Sequence, residues 1–453
     1  METINHVSRP VKRLHLTTIA TSLLACVFSL LPLVATSETI DEQNIDAKLQ
    51  ATYIWQQKRA FDARYSGPRS LTPEQERSYS FSATGYFGLR LAPSTELYFN
   101  PELVQGVPLS NLTGLGGMTN GEIQKTAGPN PTLYRARFFL RQTWGLTEDR
   151  EAVESAFNQL AGARAKRRVV LTVGNLAVTD LFDNNAFSHD ARTQFLNWAL
   201  LTYGAYDFAA DSRGYSWGAA LEYFSGDWAF RAGRFLVPRE SNGLQLDHRI
   251  FRHYGDQIEI ERRYQLFEQR GRARALAFRN VAVMGNFRDA LRAAEGTGAP
   301  PDVANVRRRQ AKVGYGVSVE QNASDDVGVF LRASRSDDAS ETYAYAEIGR
   351  SLSGGVSING NRWGRERDAV GLALVRNGLS RAHRDYLAPG GLGFFAGDGR
   401  LNYRAEQIVE FYYAYSLLKS ATLSFDVQRI HNPAYNADRG PVTVIGARVH
   451  AEY

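Results

Sequence analysis

The sequence predicts an all-β protein: a transmembrane antiparallel β-barrel with long extracellular loops, for which alternation alone marks about eighteen candidate strands. Three observations carry this expectation. Apolar and polar residues alternate with period 2 in segment after segment. After residue 37 no apolar run approaches the roughly 18 residues that a membrane helix needs, and mean hydropathy is −0.34, so a polytopic helical transporter is excluded. The 24 Phe, 22 Tyr and 6 Trp sit repeatedly on apolar faces near segment ends, where a girdle at the lipid–water boundary would place them. A chain with 43% apolar residues also has the material to fold, which excludes disorder.

The amino terminus reads as an export signal. Arg9, Lys12 and Arg13 precede an apolar run from Leu16 to Val34, and Ala35-Thr36-Ser37 offers small residues for cleavage after Ser37. Two competitors are a lipoprotein signal ending at Cys26 and an uncleaved anchor helix. The first would leave Val27-Phe28-Ser29 where a polar tether is expected, and the second has too short a span. The expected division is a signal peptide over 1–37 and an outer-membrane barrel over 38–453, with residues 38–78 holding an N-terminal segment and the first strand. Cys26 is the only cysteine, which excludes a disulfide framework and a cysteine metal site.

Along the body the strands are expected as follows. The first lies near 48–57. Next, Phe81, Ala83, Phe87, Leu89 and Leu91 face away from Ser82, Thr84, Tyr86 and Arg90, and a third strand follows at 95–102. In the fourth, Tyr134, Ala136, Phe138, Leu140 and Trp144 make the apolar face and Arg135, Arg137, Phe139 and Arg141 the other. Further segments lie at 167–176 and 197–209. Tyr215, Trp217, Ala219, Leu221 and Tyr223 then oppose Ser216, Gly218 and Glu222. Strands near 227–235, 257–264, 273–282 and 311–321 lead to Val327, Val329, Leu331 and Ala333 against Phe330 and Arg332. Segments at 340–350, 353–361 and 368–376 precede three sharply alternating ones at 409–417, 420–428 and 443–453. A soluble sandwich shares the alternation. It rarely needs so many strands, whereas lipid forces a spanning sheet to close on itself. The terminal aromatic Tyr453, on a strand of the right parity, suits presentation to the barrel assembly machinery.

Loops carry the remaining signal. Segments 101–131, 178–196, 237–256, 286–310 and 379–402 lack strand pattern, and 288–292 looks briefly helical. Loops this long in a compact protein are usually functional. The stretch Gly174-Asn175-Leu176, then Asp180-Leu181-Phe182-Asp183-Asn184-Asn185 and Asp190 through Trp198, resembles the carbohydrate-selective porins of the OprB type. Gly114-Leu115-Gly116-Gly117 and Arg213 through Gly218 add texture to the likeness. The resemblance implies a sixteen-stranded outer-membrane barrel, passive diffusion of small hydrophilic solutes, sugars foremost, and a constriction shaped by inward loops. It leaves open a branch associated with divalent manganese or iron. Large porins in general are often trimeric, which makes a homotrimer one expectation and leaves the oligomeric state open.

The chemistry expected of a sugar pore is planar hydrogen-bonding groups facing acids, with rings for pyranose faces. The candidate pore-lining and constriction residues are Arg90, Arg135, Arg137, Arg141, Asp180, Asp183, Asn185, Arg192, Arg231, Glu259 and Glu261, with Tyr86, Tyr98, Phe139 and Tyr412 as lumenal rings. The competing reading is that most of these charges solvate and brace the inner wall. A metal reading would use Asp183, His189 and Asp190, since carboxylate and imidazole suit a hard or borderline divalent ion, although Asp and Asn are also ordinary turn formers. No cofactor is expected. Nucleic acid is not an expected partner, because the 53 Lys and Arg are spread along the chain against 47 acids. His-Glu-x-x-His, Gly-x-Ser-x-Gly and Walker patterns are absent; a barrel enzyme acting on lipid or glycan is the alternative of another class. Acids in excess along one constriction would favour metal, and rings flanking Arg would favour sugar.

Overall fold

The computed structural model describes residues 42–126, 128–343 and 346–453; the expected export signal and Cys26 lie outside them. In chain order the strands are β1 (Ile45–Lys58), β2 (Glu76–Ala92), β3 (Thr95–Val107), β4 (Thr132–Gly145), β5 (Arg150–Val153), β6 (Gly162–Ala165), β7 (Arg168–Leu176), β8 (Ser216–Ser225) and β9 (Trp228–Phe235). They continue with β10 (Tyr254–Leu266), β11 (Gln269–Met284), β12 (Arg308–Ser324), β13 (Val327–Ser336), β14 (Arg350–Asn359), β15 (Ala369–Gly378), β16 (Glu406–Leu418), β17 (Ala421–His431) and β18 (Val442–Glu452). Among the described residues sixteen of these close into one antiparallel barrel, and β5–β6 is a separate hairpin. Each barrel strand pairs with the next, β4 pairs with β7 across the hairpin, and β1 closes on β18 with Tyr53 opposite Val449. Leu49 and Tyr453 exchange backbone hydrogen bonds of 2.9 and 2.8 Å, so the last residue completes the seam.

Burial along the wall runs opposite to that of a soluble sandwich. On β17, Phe425 is 55% exposed while Asp426 is 3% exposed. The apolar parity faces outward all around, where lipid would cover it, and the polar parity faces in. Five connections, such as Pro93–Ser94 and Gly226–Asp227, are two-residue turns at one end. The long loops stand at the other end. Outer-membrane barrels put short turns toward the periplasm, which makes the β5–β6 end periplasmic.

Two expected strands are absent, which brings eighteen to sixteen. Residues 197–209 form a short helix, Trp198–Leu201, capped by the Asn197 side chain, and then a loop. Its apolar side chains are buried on both parities, with Leu200, Tyr203, Ala205, Tyr206 and Phe208 all at 4% exposure or less. The cause is its place inside the lumen, where it packs against the inner wall and the β3–β4 loop. Residues 340–350 are likewise loop over their described part until β14 begins. The expected helical turn at 288–292 lies within the helix Phe287–Ala294.

Position 136 shows how one residue reverses a face. Asn100 on β3 opposes Arg137, and Pro101 opposes Arg135, so Ala136 is an extra residue on β4. Proline has no N–H to give to a ladder and is tolerated at bulges. The bulge flips parity above it. Arg135 points outward, its guanidinium over the rings of Trp217 (5.0 Å) and Phe138 (5.9 Å), while Tyr134 turns inward against Tyr215. The expected lumenal direction of Arg135 and the expected outward direction of Tyr134 are thereby corrected, and Tyr215, expected on the apolar face of its segment, is buried in the lumen as well. Asn175 donates to the carbonyl of Ala136 at 2.8 Å, satisfying the bulge. Its neighbour Gly174 has φ +146°, and a Cβ there would lie 2.3 Å from the Phe138 carbonyl.

Candidate solute pathway

Two long extracellular loops fold into the lumen. Residues 113–124 of the β3–β4 loop are buried throughout, and they dock on the β7–β8 loop through Gly121 N–H to Leu196 O (2.8 Å) and Trp198 N–H to Met118 O (2.9 Å). Gly114 makes the approach feasible: its φ is +89°, and a Cβ would lie 1.9 Å from the Leu71 nitrogen.

The β7–β8 loop is held to one side of the barrel by inward-facing charges. Arg332 bonds Asp183 (3.1 Å) and donates to the carbonyls of Leu200 (2.9 Å) and Ser188 (2.6 Å). Arg448 donates to Ala191 O (2.8 Å) and Gln194 O (2.6 Å). Glu259 accepts from the Asp183 N–H at 2.8 Å, Glu320 from Ala186 N–H at 2.9 Å, and Glu410 from Leu196 and Asn197. Between these anchors apolar groups meet, with Phe195 edge-on to Tyr412 at 4.9 Å.

The other side stays open as a chamber of about 630 Å³. Its walls come from β1, β2, β4 and β7 to β10, its roof from the two inward loops, and its floor from the β4–β7 connection, which rises from the periplasmic end to set Phe157 against Tyr86, tilted at 4.4 Å. Nine Lys and Arg side chains line it against four carboxylates, together with seven aromatic rings. Arg137 forks onto Asp180 (2.7 and 2.6 Å), and its guanidinium lies 5.2 Å from the Tyr215 ring. Arg192 bonds Glu122 at 2.9 Å, Gln50 at 2.6 Å, Tyr86 at 3.2 Å and also Glu102. Arg231 gathers Glu222 (2.9 Å), Glu259 (2.9 Å) and Glu261 (3.3 Å). Burial alone would raise the Glu122 carboxyl, but Arg192 and Lys125 beside it outweigh that and hold it below the ordinary range.

The profile of the carbohydrate-selective porins, OprB family, matches residues 69–453. The chain belongs to this family. It is an outer-membrane porin through which small hydrophilic solutes, carbohydrates foremost, diffuse. Among solved structures, Pseudomonas putida OprB at high pH is similar with a TM-score of 0.67 and 14% identity, over 90% of this chain and 94% of that one. Pseudomonas aeruginosa OccK11 (OpdR) is similar with a TM-score of 0.43 and 9% identity, over 91% and 98%. No curated protein matches the chain.

In this porin five of the expected lining residues do face the chamber: Arg137, Arg141, Asp180, Arg192 and Arg231. Others have different work. Arg90 braces the floor, donating to Gln43 O (3.1 Å) and Ala161 O (3.0 Å). Glu259 and Glu261 stand behind Arg231, with Glu261 shared with Arg274 at 2.8 Å. Asp183, with φ +53°, is fully buried and anchors the loop. Asn185 accepts from the Phe187 and Ser188 N–H groups, which makes it a turn former. The three residues of the metal reading are not brought together. Asp183 faces Arg332, Asp190 accepts from the Arg192 N–H (2.9 Å), and burial pushes the His189 imidazole toward neutrality. Among the described residues no group of three His, Cys, Asp or Glu is placed to hold a metal.

Sequence reasoning missed Glu122, Lys125, Phe157, Arg164, Arg168, Arg213 and Phe224 as chamber residues. Most lie on loops or at strand ends, where parity says nothing about direction. Arg213 had a signal only as part of the family-like stretch Arg213–Gly218.

Proposed function

We propose that the chamber is the selective segment of this porin, and that mono- and disaccharides cross it by passing hydroxyls between Arg137, Arg141, Arg192 and Arg231 while the pyranose faces slide over Tyr86, Phe139 and Phe157. The observation that carries this reading is rings flanking guanidiniums, with nine cations to four carboxylates. That charge ratio speaks against a divalent cation as cargo, and a volume of about 630 Å³ suits a small sugar. Liposome swelling with the refolded mature protein tests it. Sugars should enter faster than uncharged non-sugar solutes of equal size. Entry ordered by size alone would remove the selectivity.

Three finer features belong to the same proposal. Export by a signal cleaved after Ser37 predicts Glu38 as the first residue in mass spectra of the outer-membrane form. Assembly through Tyr453 predicts poor membrane insertion when that residue is deleted. A homotrimer predicts three copies in native mass spectra, and a monomer there would end that part.

A further inference from the structure

The floor of the chamber carries a charge imbalance that neutral sugars leave unused. Arg141 on β4, Arg164 on β6 and Arg168 on β7 all line this end. Arg168 is paired with Glu151 at 2.9 Å. The carboxylate nearest Arg141 is Glu96 at 3.9 Å, and Glu96 also serves Arg90 at 3.2 Å and the Tyr98 hydroxyl at 2.8 Å. Arg164 has no ion pair among the described residues. It donates to Gln159 Oε1 at 3.3 Å, and its buried Nη2 has no hydrogen-bond partner. Burial, then the neighbouring Arg141, push the Arg164 guanidinium down from its ordinary value and outweigh the opposing pull of Glu96, yet a guanidinium stays charged in proteins. A buried charged donor without an acceptor is costly, and an anionic oxygen arriving between the two guanidiniums that line the floor would relieve their repulsion. Rings stand beside it: the Arg141 guanidinium lies 5.1 Å from the Tyr98 ring and 5.4 Å from Phe139.

We infer that Arg141 and Arg164 form an anion subsite at the periplasmic floor, and that the pore prefers saccharides bearing a carboxylate over neutral sugars of the same size. The inference rests on the sugar-pore reading above. The planar carboxylate fits a guanidinium fork, and the rings take the sugar face. Because Arg164 belongs to the β5–β6 hairpin and not to the wall, the hairpin supplies half of the subsite.

The test uses the refolded mature porin in liposomes, with labelled glucuronate and glucose as probes and potassium with valinomycin to prevent charge build-up. The wild type should admit glucuronate faster than glucose. In Arg164→Gln the ratio should fall about tenfold, the factor that corresponds to one charge-assisted hydrogen bond. Lys166→Gln removes an exposed charge of the same segment, 55% exposed and paired with Asp149, and should leave the ratio where it was. Equal entry of the two probes in the wild type overturns the inference, and so does an equal loss in Lys166→Gln, which would make the effect one of net charge. Adipate entering as fast as glucuronate would overturn the saccharide part. If Arg164→Gln does not assemble, Arg164→Lys, which keeps the charge without the fork, should lose part of the preference; an undiminished ratio there counts against the subsite. Entry of neither sugar through folded protein would instead overturn the sugar-pore reading.

Discussion

The two sides of the lumen are built from the same parity of the same barrel and end up opposite in character. On the side of β10, β12, β13 and β16 to β18, the inward charges Glu259, Glu320, Arg332, Glu410 and Arg448 spend their hydrogen bonds on the backbone of the β7–β8 loop. On the side of β4 and β7 to β9, Arg137 pairs with Asp180 and Arg231 with Glu222 through side chains alone, and all four remain at the chamber surface. An inward charge is therefore an anchor where the backbone of the β7–β8 loop reaches it, and otherwise stays at the chamber surface.

The largest effect should come from breaking an anchor. Arg332 is 1% exposed and its partner Asp183 is fully buried. Arg332→Ala would leave a buried carboxylate without its cation and free two loop carbonyls, a loss of about 3–5 kcal/mol. The closed wall is bonded strand to strand independently of this group, so the loss should appear in the loop. Single-channel conductance should rise, and residues 177–209 should become open to protease in assembled barrels. Unchanged conductance with a resistant loop would dissolve the distinction between the two sides.

The next effect belongs to the open side. Arg192 joins roof to wall through Glu102, Glu122, Gln50 and Tyr86. Arg192→Gln exposes two carboxylates to the chamber and removes a cation from it, so the reversal potential in a salt gradient should move toward cations. A shift of equal size from Arg332→Gln would mean that the packed side also faces solute.

A smaller loss, about 1–2 kcal/mol, is expected from Asn175→Ala, which strips the donor from the Ala136 carbonyl at the bulge. Thermal melting in detergent reads it directly, and an unshifted midpoint would mean that water takes the place of the amide.

These cases show what was legible. Alternation placed all sixteen wall strands, because lipid demands one apolar face from every one of them. It also added 197–209, where burial inside a lumen mimics a strand that faces lipid. Continuous apolarity on both parities was the available warning. The bulge at Ala136 was announced only by Pro101, one strand away, and cost the direction of Arg135. The division of inward charges into loop anchors and chamber-lining groups had no local signal at all, since Arg332 meets Ser188 across 144 residues. Arg137, Arg141 and Arg231 face the chamber as strand parity alone indicates. Asp183 and Asn185 were misplaced because a loop's direction is set by what it docks on.

The smallest effect expected is one of pH, at the extracellular end. His383, on the helix Arg381–Leu387, stacks on Phe287 at 4.1 Å and faces Asp338 at 2.9 Å and Glu347 at 3.9 Å. Burial and the more distant Lys312 push the imidazole down, but Asp338 and Glu347 outweigh them and its pKa is raised. The Asp338 carboxyl is lowered, with His383 and Lys312 outweighing burial. A raised histidine stabilises fully below its ordinary value of about 6.5 and loses that contribution as pH rises through the folded value. The lowered Asp338 contributes above the ordinary carboxylate range and loses it as pH falls through its own folded value. The loop 379–405 should therefore be held most tightly in mildly acidic solution and loosen on the alkaline side. Hydrogen exchange of its amides across pH measures this, after correction for the intrinsic rate. His383→Gln should flatten the alkaline limb. A limb that survives the substitution would assign it to another group and leave the extracellular end, like the wall, indifferent to this histidine.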